Sequence, residues 1–127
     1  MIVTEMKPFK AITGSLEKGD NICVVSCDAC ARKCECGGQK ALDDISEKLS
    51  CEGFRVSEKH LIGKACGASH VNGRVFGGDT VVVLGCDASV ELLKELFPAL
   101  KIVPALNTIG LGSLGEDGLV TLVKRFD

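Results

Sequence analysis

Tryptophan and tyrosine are absent from this chain of 127 residues, and aromatic residues make up only 4% of it. The ring platform on which single-stranded nucleic acid stacks is therefore missing. Charge of a dominant sign is missing too: 15 basic side chains stand against 17 acidic ones, a formal charge of −2. So balanced a chain offers no electrostatic footprint for nucleic acid or an anionic membrane, and neither is expected as a partner. No apolar run approaches the length of a membrane span. The opening Met1–Lys10 lacks a basic start and a continuous apolar stretch, so no secretory signal is visible and a cytoplasmic location is expected. There is no internal repeat and no linker. No Ser/His/Asp set or pair of carboxylates can be read either, so no catalytic residue is expected.

With 46% hydrophobic residues the chain can bury a core, and its length suits a single domain spanning 1–127. What it has in excess is cysteine, eight in all: 23, 27, 30, 34, 36, 51, 66 and 86. In a reducing cytoplasm such a count reads first as a metal site and only second as a disulfide framework.

Apolar β-branched runs alternate with helical patterns, as in parallel βαβ units. Asn21–Ser26 reads as a buried strand. Residues 39–51 carry apolar side chains at 41, 42, 45 and 49, one helix face, with Gly53 as its stop. Phe54–Ile62 suggests a half-apolar strand near an edge, and the glycine-rich stretch 63–78 a loop or short helix. Thr80–Gly85, with three consecutive valines, predicts a central strand. A helix capped by Ser89 and stopped by Pro98 follows, then a strand at 101–103. Residues 119–123 form a last strand or a hairpin arm. The expected fold class is α/β, with a mostly parallel sheet of about four to five strands.

Cys27, Cys30 and Cys34 lie in the loop leaving the first of these strands, Cys66 in the loop after the second, and Cys86 just past the third. In parallel α/β sheets the ligand crevice lies beyond the carboxyl ends of the strands, so five thiols converge on one rim. A soft metal or an iron–sulfur cluster takes about four thiolates. Here C-x2-C-x3-C supplies three, and Cys66 or Cys86 supplies the fourth. A [4Fe–4S] cluster is the leading expectation and zinc the alternative. Gly37-Gly38 at a helix start, with Arg32, Lys33 and Lys64, would offset the negative charge of a cluster.

Cys23 and Cys51 read as small buried hydrophobes. Cys36 could stand in for Cys34 or simply line the loop. A thioredoxin-type dithiol explains Cys27 and Cys30 but leaves Cys34, Cys66 and Cys86 without a role. Gly110-Leu-Gly-Ser-Leu-Gly115 matches a dinucleotide fingerprint in letters, yet its context fails, since Glu116-Asp-Gly118 intervenes where a helix should open and the sequence reaches Asp127 before the acid expected about 20 residues on. His60 and His70 are isolated and read as surface or loop residues, while Asp28 and Asp87 are placed to orient loops.

Taken in order, the blocks Val24-Val-Ser-Cys27-Asp-Ala-Cys30, Cys34, Gly37-Gly38, Cys66, Val83-Leu-Gly-Cys86-Asp-Ala88 and Val103-Pro-Ala-Leu-Asn107-Thr108 resemble the methylenetetrahydrofolate reductase C-terminal (MetV-like) family of accessory domains from anaerobes. The resemblance runs from about Lys7 to Gly118. It implies a Rossmann-like or flavodoxin-like three-layer fold and an iron–sulfur electron-transfer subunit. The partner it implies is a flavin-containing reductase of one-carbon metabolism, with another redox protein or a homo-oligomer also open. Cys27, Cys30 and Cys34 carry over as loop ligands, with Cys66 and Cys86 as candidates to complete the set. The pattern departs at Cys36, where a small apolar residue is implied, and longer members carry a second cysteine-rich segment that this chain does not match. Two rival functions are a structural zinc-binding interaction module and a cysteine-based redox or sulfur-handling protein.

Overall fold

The computed structural model describes residues 1–127. In chain order the elements are β1 (Ile2–Met6), α1 (Phe9–Thr13), β2 (Asn21–Cys27), α2 (Cys30–Lys33), α3 (Gly38–Cys51) and β3 (Arg55–Ile62). They continue with α4 (Ala68–Val71), β4 (Thr80–Leu84), α5 (Asp87–Leu96), β5 (Lys101–Pro104), β6 (Leu106–Leu114) and β7 (Val120–Arg125). The fold is α/β. Four strands form an all-parallel sheet in the order β3-β2-β4-β5, and three form a separate antiparallel sheet in the order β1-β6-β7.

The burial of each parallel strand follows its place. Every residue of β4 is buried, as are Ile22–Cys27 of β2, because a central parallel strand is covered on both faces. On the edge strand β3 exposed and half-buried residues alternate until Ile62, which is why its sequence keeps Glu58, Lys59 and His60. Helix α3 presents Leu42, Ile45 and Leu49 inward against β2 and β3. It starts at Gly38, whose φ of +82° would strain any side-chain-bearing residue. Ser26 Oγ donates to Gly38 O at 2.9 Å and ties this start to β2.

Two expectations need correcting, and the choice left open for residues 119–123 is resolved. Cys51 is exposed, because it lies two residues beyond the inward Leu49 and so points roughly 200° around the helix. Helix α5 begins at Asp87 with Cys86 at the cap position. Ser89 therefore sits inside its first turn, where its hydroxyl donates to Cys86 O at 2.7 Å. The last strand belongs to the antiparallel sheet as one arm of the β6–β7 hairpin, and Gly110 and Gly112 lie within β6, paired on both sides.

His60 is not a free surface residue. Its Nε2 lies 2.7 Å from Glu58 Oε1, its ring meets Phe76 edge-on at 4.8 Å, and Glu58 Oε2 accepts the Gly77 N–H at 2.9 Å. The His60 hydrogen bond, helped by the Gly77 N–H, holds the Glu58 carboxyl below the usual carboxylate range. A depressed carboxyl stabilises the fold above its unfolded pKa of about 4.3, and that contribution disappears as pH falls through the folded value. In urea unfolding, Glu58→Gln is therefore expected to have a lower midpoint than wild type at neutral pH, the gap closing as the pH is taken down through the carboxylate range. A gap that persists in acid would contradict the clamp.

Candidate functional site

The carboxyl ends of β2, β3 and β4 all open onto one rim. Asp28 N–H donates to Ile62 O at 2.8 Å, which locks the exits of β2 and β3 together. Cys27, the last residue of β2, is buried, and its Sγ accepts the N–H of Ala65, the residue before Cys66, at 3.5 Å. Cys66 stands exposed on the loop after β3, and Cys86 is half-buried at the cap of α5. Partial burial of the Cys66 thiol pushes its pKa up. The neighbouring Cys86 and Cys27 push it further, while Lys64 opposes the rise. Cys27, Cys66 and Cys86 thus all lie at or just past the strand ends that open onto this rim.

Cys30 opens the four-residue α2 and is half-buried, three residues after Cys27 in sequence. Cys34 closes that turn and faces elsewhere: its Sγ donates to Ile2 O of β1 at 3.8 Å. Cys36 is buried beside it, with Sγ 3.0 Å from Thr4 Oγ1 and 3.6 Å from Thr4 O. Burial raises the Cys36 thiol pKa, the Thr4 hydrogen bond lowers it, and Cys34 adds to the rise. Between the two, Glu35 takes a φ of +62°, turning the chain so that both thiols meet β1.

The eight cysteines therefore divide by place. Cys27, Cys66 and Cys86 stand at or just past the strand ends on the rim, Cys30 opens α2, Cys34 and Cys36 brace β1, Cys23 is buried in β2, and Cys51 is exposed on α3. All eight are free thiols. As the loops stand, no group of three or more cysteine, histidine, aspartate or glutamate side chains is close enough to hold a metal ion.

No family model, curated protein or solved structure matches the chain. The site is accordingly built from its own residues.

Two further residues shape the rim. Thr108 Oγ1 accepts the Asp87 N–H at 3.0 Å, capping α5 beside Cys86 from the neighbouring strand β6. Asn107 Oδ1 accepts from Lys7 Nζ at 2.8 Å. Neither role can be read in sequence, since each joins residues from distant parts of the chain. Arg32 is paired with Asp28 at 3.0 Å, so it adds less positive potential than its sequence position suggests. A cavity of about 630 Å³ between α1 and α3 is bordered by Arg32, Glu35 and Gly37 of the cysteine loop but is lined by no cysteine.

Proposed function

We propose that this chain is a thiol-ligated metal protein whose rim holds a [4Fe–4S] cluster and passes electrons to a flavin-containing reductase or another redox protein. The observation that carries this reading is the placement of three free thiols at or just past the carboxyl ends of three parallel strands, with Cys27 Sγ held against the loop that bears Cys66. The sheet order β3-β2-β4-β5 supports a Rossmann-like, flavodoxin-like architecture. In such sheets the ligand crevice lies where successive connections run in opposite directions, here between β2 and β4, the strands that end at Cys27 and Cys86. The reductase of one-carbon metabolism as partner rests on the resemblance of the motif blocks.

The donor chemistry fits a soft metal, because free thiols are the ligands that clusters and zinc select. Cys27, Cys66 and Cys86 would hold the group, with Cys30 or Cys34 as the fourth ligand. If Cys34 serves, it leaves Ile2 O. When bound, a cluster supplies a one-electron carrier. The chain's own part is to hold the thiolates. The Ala65 N–H donates to the Cys27 sulfur and Lys64 lies near Cys66, and both offset negative charge. Since no donor set is closed beforehand, loading draws the loops 28–37 and 63–67 together and raises stability.

Anaerobic reconstitution with ferrous iron and sulfide, in parallel with zinc, tests the reading. About four irons and four sulfides per chain, with a reducible chromophore visible by EPR after dithionite, are expected. One colourless zinc and no cluster would favour the structural zinc module instead. Failure to bind either metal would sink the proposal.

A further inference from the structure

The antiparallel sheet has two edges of different character. Along β1 the edge is covered, because Cys34 and Cys36 place their thiols on the Ile2 and Thr4 carbonyls. Along β7 it is bare: β7 pairs only with β6, and every residue from Thr121 to Arg125 is exposed. Apolar surface gathers at the same place. Of ten exposed large hydrophobic side chains, six lie on this hairpin and its flank: Leu111, Leu114, Leu119, Leu122, Val123 and Phe126. Val123 is 70% exposed and Leu119 67%. An open strand edge carrying apolar side chains is a template for another strand.

The charges select the partner. Glu116 and Asp117 stand in the turn before Val120, Lys124 and Arg125 at the far end of β7, and none of the four joins an ion pair within the chain. A second copy laid antiparallel on β7 brings each basic end to the other's acidic turn, and the two-fold axis makes the contact twice. A parallel arrangement would set like charges side by side, which is unfavourable.

We infer that β7 is a self-association edge, on which two copies pair antiparallel about a two-fold axis near Thr121. In that register Val123 faces the partner's Leu119, and Arg125 comes up against the partner's Glu116–Asp117 turn. The two antiparallel sheets become one six-stranded sheet. The inference stands independently of the metal reading, since β7 carries no thiol.

Sedimentation velocity of the full chain, from low micromolar to near-millimolar concentration at low salt, tests it. Wild type is expected to move from monomer to dimer. Val123→Lys is expected to stay monomeric with an unchanged circular dichroism spectrum, because the side chain it replaces is exposed. In that arrangement Arg125 comes up against the partner's whole acidic turn, so Arg125→Glu should weaken the dimer at least about tenfold, and adding Glu116→Arg, which spares the Asp117 bond to the Leu119 N–H, should restore it. A wild-type monomer at every concentration, a dimer that survives Val123→Lys, or a charge swap that fails to restore association would overturn the proposal.

Discussion

Cys66→Ala is expected to abolish metal retention, with apparent affinity falling by more than about 100-fold, while leaving the metal-free fold unchanged. Cys66 is the exposed thiol on the loop that the Ala65 N–H ties to Cys27 Sγ, so removing it takes away the donor that this loop brings to the rim. Cys86→Ala leaves Cys27, Cys66 and the adjacent Cys30 in place and should cost less. The metal-free stability of Cys66→Ala should match wild type because the side chain is exposed and packs no core. Cys51→Ala is the control: an exposed thiol on α3, expected to retain metal fully. Metal analysis after desalting compares the three variants. Equal retention in Cys66→Ala and Cys51→Ala would remove the basis for the site.

Gly37→Ala is expected to destabilise the protein by about 3 kcal/mol, at the upper end of overpacking costs. A methyl group there would lie 2.5 Å from Ala31 Cβ, 2.6 Å from Cys27 O and 2.9 Å from Ala31 C. Two of these are backbone atoms, which cannot swing aside, so the cysteine loop must open. The φ of −139° at Gly37 is accessible to alanine, which makes the effect steric and not conformational. Gly19→Ala, where no atom lies within 4 Å of the added group, should be close to neutral. Urea unfolding of the two variants measures the difference, and metal retention should fall with the first. A Gly37→Ala midpoint equal to that of Gly19→Ala would contradict the packing described for the loop.

The parallel sheet was legible because its signals are local. Three valines in β4, the apolar run of β2 and the inward face of α3 each declare themselves within one element. The antiparallel sheet was not legible. β1 finds its partner about 100 residues away in β6, and five residues of mixed exposure leave no clear alternation to read. The hairpin appeared only as one of two options for 119–123, because the glycines of β6 mimic a loop. Of the candidate site, only the placement of Cys27, Cys66 and Cys86 at or just past the carboxyl ends of parallel strands could be read from the strand pattern. The orientation of Cys34 did not, since it depends on β1, and neither did the use of Cys36, whose partner Thr4 lies on that same strand. Thr108 escaped for a like reason: its hydroxyl serves a helix that starts 21 residues earlier.

X-ray absorption at the metal edge of the anaerobically reconstituted chain tests the central claim most directly. A coordination shell made of sulfur alone is the predicted result, with iron–iron scattering if the group is a cluster and a sulfur distance of about 2.3 Å if it is zinc. A shell of nitrogen and oxygen donors would contradict it, because the rim would then not be what holds the metal.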